Sequence, residues 1–574
     1  MPPLMPAVGH YAHVTKNFGL DVVSATNRRL GRHQPLVLVL GTVASTYLLL
    51  RFHWFWKKSE RSLWQRFKAF AFQQFRRIPA VRRKIEQELH ATSEGILKSI
   101  HGCDKERSFV KWIPEQGMSS AEILERAARY EQMNEKFDVA RGRVSGTVYT
   151  DMREELLQVL TDVFKRYAYS NPLHPDVFPG ARKMEAEVIR MITNLYHGGP
   201  EACGTMSSGG TESILLACFA HRNRALAKGI ENPVIVAPIT AHAAFEKAAN
   251  LLGIRIRHVK VDKDGRVNLT AMRRAITSDV CMLVGSAPCF STGTFDEIPE
   301  ISKLGIRYNI PVHVDACLGG FIIPFVVEEA GIGIPHFDFR LPGVCSISCD
   351  THKYGYSPKG SSTVLYRSHE YLHHQYFSIT EWPGGIYATP TIAGSRAGLN
   401  IALTWATLLH FGHAAYKERA LKIVECTRYL TAEIRKIPGL QIVGTPDVSV
   451  VAFRSNEFNI YAVADLLNKR GWNLNSLQKP DAIHFCLTYN QASKDLIDQF
   501  LTDLVIVCEE VRHLPERGGN TETAAIYGMA GTLPDRSLID EVAHAYLDAC
   551  YAPPTPSPSI RRPSRRPSRS TGRT

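Results

Sequence analysis

The sequence predicts an α/β chain. A large, mostly parallel sheet domain is followed by a smaller carboxyl-terminal α/β domain, behind an amino-terminal membrane helix. Three observations predict it. Over residues 171–395, strand-like apolar runs alternate with helical patterns, as in a parallel sheet with crossover helices. From 396 the pattern changes to a long helix through Ala420–Ile434, strand-like runs at Leu440–Val443 and Val448–Phe453, a helix over Tyr461–Lys469, a strand at Ile483–Leu487 and a last helix over Lys494–Arg512, making a small domain over 396–550. The most apolar stretch is Leu36 to Leu50, extended by Phe52, Trp54, Phe55 and Trp56.

Taken in order, residues 1–34 are expected to be lumenal and 35–56 to span a membrane. A span takes about 20 residues, with roughly 17 as the lower limit, so the aromatic flank is needed to reach it. The thin bilayer of the endoplasmic reticulum relaxes the demand. A cleaved signal peptide fits poorly, because the run starts late and is followed by aromatics and lysines. An interfacial helix would show a polar face. Basic flanks are heavier on the carboxyl side: Arg51, Lys57, Lys58, Arg61, Arg66 and Lys68, against Lys16, Arg28, Arg29 and Arg32. The positive-inside rule therefore puts the body of the chain in the cytosol, and the expected location is the endoplasmic reticulum membrane, crossed once. Residues 57–94, where Trp64, Phe67, Phe70, Phe72 and Phe75 stand among basic residues, read as a juxtamembrane amphipathic helix. Residues 95–170 form an arm leading into the body.

The net charge of +13 is concentrated at the ends. Residues 1–90 hold 15 Lys/Arg against 4 Asp/Glu, and 551–574 hold six arginines and no acid, which leaves a mildly acidic body. That distribution excludes a nucleic-acid-binding core and suits contact of the ends with membrane lipid. The Pro/Ser/Arg-rich tail 551–574 is expected to be disordered. Its two Arg-Arg-Pro-Ser runs, ending at Ser564 and Ser568, look like basophilic kinase sites, and phosphorylation there would lower the tail's charge. The twelve cysteines form no Cys-x-x-Cys pair, which fits a reducing compartment and gives no zinc signature.

Four stretches carry chemistry. Ser207-Ser208-Gly209-Gly210-Thr211 opens an apolar helix, where backbone N–H groups and the helix dipole make an anion site; Ser208, Gly210 and Thr211 are the candidates. His242 opens another helix after the strand-like Val234–Val236, placed to lie flat on an aromatic ring. Asp315 closes the alternating strand Pro311–Val314, so its carboxylate stands at a strand's carboxyl end, where open α/β sheets bind ligands. Lys353 follows His352 behind the run Val344–Ser348. A lysine at the end of a buried strand is costly unless its pKa falls or it is used covalently. Each stretch taken singly makes ordinary caps, turns and loops. In this order they form a phosphate loop, a stacking histidine, a pyridinium carboxylate and a Schiff-base lysine, the parts of a pyridoxal 5'-phosphate site.

These residues resemble the group II decarboxylase-like branch of the fold-type I pyridoxal-phosphate enzymes, and within it the sphingosine-1-phosphate lyase family. The stretches that carry the resemblance are Gly142–Tyr149, Asn171–Asp176, Lys353–Lys359 and Trp382–Tyr387 with Gly394–Arg396. It extends over roughly residues 95 to 515. It implies the fold-type I transferase fold, with 171–395 as the cofactor-binding domain, and a homodimer whose active sites are built from both chains. It also implies that Tyr149, His174 and Lys359 grip a substrate phosphate, that His352 joins Lys353 at the cofactor, and that Gly384 and Gly385 reach the cofactor phosphate of the neighbouring subunit. The implied reaction is retro-aldol cleavage of a phosphorylated sphingoid base to a long-chain aldehyde and phosphoethanolamine. The group that takes the hydroxyl proton stays open between the substrate phosphate, a tyrosine and Lys353. An amino-acid decarboxylase on the same scaffold would need a cation for a substrate carboxylate and would have little use for a membrane anchor. A silent membrane scaffold would have lost Lys353, Asp315 or His242.

Overall fold

Short runs of β-branched and aliphatic residues, buried on both faces, set the centre of the molecule. In the computed structural model, residues 31, 39–49, 63–104, 109–133, 137, 139, 141–329, 333–515 and 537–554 are described. The expected lumenal segment, both flanks of the expected span and the tail with Ser564 and Ser568 lie outside them, apart from Gly31 and residues 551–554. The chain forms two compact units, Met1–Ile85 and Glu86–Thr574.

In the first unit residues 39–49 are helical and expose Val39, Leu40, Val43, Leu48 and Leu49. Among the described residues no helix is long and apolar enough to cross a membrane. The expected single helix over 57–94 is instead two helices, Leu63–Arg76 and Pro79–Ile100, the second continuing into the other unit. Proline at the start of a helix cannot donate back to the preceding turn, so Pro79 begins a new one. Trp64, Phe67, Phe70 and Phe75 are exposed on the first helix, with Lys68 placed 5.4 Å over the Trp64 ring.

In the second unit β1 (Cys203–Ser207), β2 (Val234–Pro238), β3 (Arg255–Val259), β4 (Val280–Ser286), β5 (Val312–Asp315), β6 (Val344–Cys349) and β7 (Ser362–Tyr366) make one sheet in the order β1-β7-β6-β5-β4-β2-β3. Strands β3, β2, β4, β5 and β6 run parallel, as expected. Strand β7 is antiparallel to both β6 and β1, so the sheet is mixed. The cause is the β6–β7 connection, residues 350–361, which holds no helix to carry the chain back across the sheet. Helix Gly210–Ala227 packs on β6 and β7, burying Ile214 to Cys218.

The long helix starts earlier than the Ala420 expected: it runs Gly398–Ile434, with a kink at Gly412 (φ 61°, ψ 171°) that only glycine adopts freely. A two-stranded hairpin, β8 (Phe377–Ile379) and β9 (Tyr387–Thr389), precedes it and exposes Trp382 and Ile386. The small domain is an antiparallel sheet, β10 (Leu440–Ile442), β11 (Val450–Ser455), β12 (Asn475–Leu477) and β13 (Ala482–Cys486), ordered β10-β11-β13-β12, with helices Ile460–Lys469 and Lys494–His513. A further helix, Ser537–Tyr551, was not expected.

The stretch 142–149 is stitched to this small domain. Ser145 N–H donates to Asn473 O (2.9 Å), Gly146 N–H to Cys486 O (3.0 Å), and Cys486 N–H to Ser145 Oγ (2.9 Å). The Gln491 amide donates to the carbonyls of Gly142 and Val144 at 2.9 and 3.0 Å. Gly146 has φ +58°, and a Cβ there would lie 2.9 Å from the Cβ of Cys486. The result is a fixed entry for Tyr149.

Candidate active site

Four loops reach the carboxyl ends of β1, β2, β5 and β6, which all point the same way. After β1, helix Gly210–Ala227 starts with the unpaired N–H groups of its first turn. A Cβ on Gly210 would sit 2.7 Å from both carboxylate oxygens of Asp350 and 2.9 Å from Cys317 Sγ, so no larger residue fits. Thr211 is exposed in the first turn. The Ser208 donors are engaged, N–H and O–H both meeting Glu212 Oε2 at 2.7 and 2.6 Å.

After β2, His242 stands just ahead of helix Ala244–Leu252, and its Nδ1 accepts the Ala244 N–H at 3.1 Å. Its ring meets Phe290 edge-on at 6.2 Å, and Phe290 meets the buried His484 at 4.9 Å. Asp315 ends β5. Its Oδ1 accepts from Cys317 N–H (3.1 Å) and Ser348 O–H (3.3 Å), while Oδ2 makes no hydrogen bond among the described residues.

Lys353 lies in the β6–β7 connection with Nζ 2.8 Å from Asp350 Oδ2. Burial opposes the ammonium, but the attraction of Asp350 outweighs it and holds Lys353 above its ordinary range. Burial likewise opposes the Asp350 carboxylate, and the charges of Lys353 and His352 pull it below its usual value. Besides the covalent use expected from the sequence, the structure gives this lysine a counter-ion. Asp350 is the site residue that the sequence reading missed. Its spacing, three residues before the lysine in the same motif, was the available signal. Asp350 Oδ1 is buried without a hydrogen bond among the described residues. His352 packs alongside, its Nδ1 taking N–H groups from Gly360 (3.3 Å) and Ser361 (3.1 Å).

Tyr149 is buried edge-on to Tyr354 at 4.9 Å, and Lys359 Nζ stands 4.8 Å over its ring. Burial drives the Tyr149 phenol well above its usual range, so it remains protonated. Burial and the like charge of Lys353 lower the pKa of Lys359. Lys353, Asp350, Tyr149 and Lys359 thus form one cluster. His174 is not brought into it: it is exposed in the loop before helix Pro179–Leu195, and no hydrogen bond joins it to Tyr149 or Lys359 among the described residues. That loop is tied to 395–396, with Asn171 bonded to Ser395 Oγ and to Arg396 N–H. Gly384 and Gly385 are exposed at the β8–β9 turn, Gly385 at φ +102°.

These residues fit pyridoxal phosphate. Asp315 keeps a carboxylate oxygen without a hydrogen bond among the described residues, available to a pyridinium. The helix start too tight for a Cβ suits a phosphate, and Lys353 pairs with the Asp350 that packs on that start. The pyridoxal-dependent decarboxylase conserved domain matches residues 147–456. Sphingosine-1-phosphate lyase 1 of Rattus norvegicus is 43% identical over 545 residues, covering 94% of each chain. The chain belongs to the sphingosine-1-phosphate lyase family. The sphingosine-1-phosphate lyase of Drosophila melanogaster is 42% identical over 538 residues, 93% of this chain and 97% of that one. The solved structure of a Burkholderia pseudomallei sphingosine-1-phosphate lyase matches with a TM-score of 0.68 and 39% identity, over 71% of this chain and 94% of that chain.

Proposed function

We infer that the protein is a pyridoxal-phosphate-dependent lyase that cleaves phosphorylated long-chain sphingoid bases between C2 and C3, yielding a long-chain aldehyde and phosphoethanolamine. One observation carries this reading: in a chain of this family, Lys353 shares one cluster with Tyr149 and Lys359, two donors suited to a substrate phosphate. Pyridoxal phosphate supplies an aldehyde that condenses with amines and a ring that draws electrons from the breaking bond.

The chain's own residues do the rest. Asp315 Oδ2 holds the proton of the ring nitrogen. The N–H groups of Gly210 and Thr211 hold the cofactor phosphate, and Ser208 joins them when its donors leave Glu212. His242 stacks on the ring, and His352 walls the site beside Lys353. Asp350 keeps a proton on Lys353 whenever that nitrogen is free. Tyr149 and Lys359 grip the substrate phosphate, which would set the bond to be broken relative to the ring. His174, exposed outside this cluster, is the further family candidate for the phosphate. Burial raises the pKa of the Tyr149 phenol, which suits it as a donor to the phosphate.

The enzyme acts as a homodimer with shared active sites, each β8–β9 hairpin offering Gly384 and Gly385 to the neighbour's cofactor phosphate. The exposure of Trp382 and Ile386 on that hairpin supports this. It sits on the endoplasmic reticulum membrane, with residues 35–56 spanning and the catalytic body cytosolic. The exposed aromatics and Lys68 on helix Leu63–Arg76 support lipid contact.

The test is product analysis of purified, pyridoxal-phosphate-loaded protein given a phosphorylated sphingoid base. Long-chain aldehyde with phosphoethanolamine in equal amounts is expected. Carbon dioxide from an amino acid, with no aldehyde, would place the chain among the decarboxylases.

A further inference from the structure

We propose that a buried chain of four side chains, His221, Ser346, His313 and Ser348, positions Asp315 so that its second carboxylate oxygen is left for the ring nitrogen of the cofactor. This deepens the reading of the site as a pyridoxal-phosphate site and rests on it.

The chain follows from strand geometry. Side chains two apart on a strand share a face, so His313 and Asp315 of β5 point the same way, as do Ser346 and Ser348 of β6. The parallel register sets His313 beside Ser346 and Asp315 beside Ser348. Helix Gly210–Ala227 covers this face and adds His221. His221 Nε2 lies 2.7 Å from Ser346 Oγ, and Ser346 Oγ lies 2.8 Å from His313 Nδ1. His313 Nε2 lies 3.2 Å from Ser348 Oγ, which lies 3.3 Å from Asp315 Oδ1. All five residues are buried.

The protons in this chain can run only one way. Burial pushes His313 down to about 4 and His221 well below its usual value, so both rings are neutral and each carries a single N–H. An ionised carboxylate only accepts, so Ser348 donates to Asp315 and must accept from His313 Nε2–H. His313 Nδ1 is then bare and takes the Ser346 hydroxyl, which in turn accepts from His221 Nε2–H. Every proton points toward Asp315. The far end of the chain is His221 Nδ1, a buried atom with no hydrogen-bond partner among the described residues. As a bare acceptor it is tolerable. Were the chain reversed, that atom would become a buried N–H with no acceptor among the described residues, the rarer and costlier defect.

The chain therefore engages only Oδ1, leaving Oδ2 for the ring nitrogen. Two serines and two histidines occupy positions where apolar residues would pack without a desolvation cost. Their common feature is that they end on Asp315. They act as positioning residues, since none touches the reacting atoms.

The test compares the affinity of the full-length protein for pyridoxal phosphate and for its 1-deaza analogue, which keeps the aldehyde and phosphate but has no ring nitrogen. The wild type should prefer pyridoxal phosphate. Ser348→Ala and His313→Asn should each weaken pyridoxal phosphate binding about tenfold, the loss of one charge-assisted hydrogen bond, and leave the analogue unchanged. Ser348→Thr, which keeps the hydroxyl, should restore the preference. Ser346→Ala, remote from Asp315, should reduce it in the same direction, and this variant decides the matter if the first two do not fold. Equal weakening of both cofactors, or an unchanged preference in folded variants, would overturn the proposal while leaving the cofactor site intact. A wild type that binds neither cofactor would overturn the site reading together with the proposal.

Discussion

Lys353 and Asp350 form an ion pair whose acid is buried, so neither can be removed without exposing the other's charge to a low-dielectric surrounding. Lys353→Ala should abolish aldehyde release and the visible absorbance of the bound cofactor. Full turnover in that variant would sink the assignment of this lysine. Lys359→Ala should raise KM for the phosphorylated substrate about tenfold, as loss of one charged contact implies. Binding of an unphosphorylated sphingoid base should hardly change; an unchanged KM would remove Lys359 from the phosphate site. A pH effect arises away from the chemistry. Burial lowers His484 from 6.5 to about 4 in the folded chain. Between those values the unfolded chain binds a proton that the folded chain refuses, so this contribution is full above 6.5 and is lost as pH falls toward 4. It amounts to roughly 3 kcal/mol. Urea midpoints followed across that range should fall less steeply for His484→Gln than for the wild type, and parallel slopes would refute the assignment.

At the level of elements, the start of helix Gly210–Ala227 is the tightest junction in the site. Gly210→Ala places a methyl 2.7 Å from the Asp350 carboxylate, which must move off Lys353. Cofactor affinity measured by dialysis should drop at least tenfold, in keeping with the cost of a disrupted buried ion pair. Gly209→Ala meets only His352, at 3.3 Å, and should be milder. Comparable losses in the two variants would contradict this geometry. The strand-to-loop junctions were legible because each carries its chemistry in a few consecutive residues after an apolar run, as at Asp315 and Lys353. The split at Pro79 was also written locally, but the basic and aromatic pattern on either side masked it. The reversed direction of β7 was not legible, since strand direction depends on how the chain returns after Cys349 and not on the composition of Ser362–Tyr366. The early start of the long helix was hidden by Gly412, which reads as a break and is accommodated as a kink.

For the molecule as a whole, the exposed hairpin predicts that one active site draws on two chains. Lys353→Ala and Gly384→Glu should each be inactive alone. Random pairing of the two in mixed dimers should return about a quarter of wild-type activity, because half the dimers are mixed and each then holds one complete site. No activity in the mixture would argue for self-contained sites. Contacts that join distant parts of the sequence are where reading residues in order gave least: nothing in Gly142–Val148 or in Gln491 announces that they bond to each other.

Those bonds also bear on how the protein is made. Tyr149 leaves the ribosome early, yet the groups that hold its segment, Asn473 and Cys486, are synthesised only after the whole seven-stranded sheet. The strands of that sheet are therefore all made while Tyr149 still has no seat. Translation that halts short of residue 486 would thus leave Tyr149 without the bonds that seat it beside Tyr354.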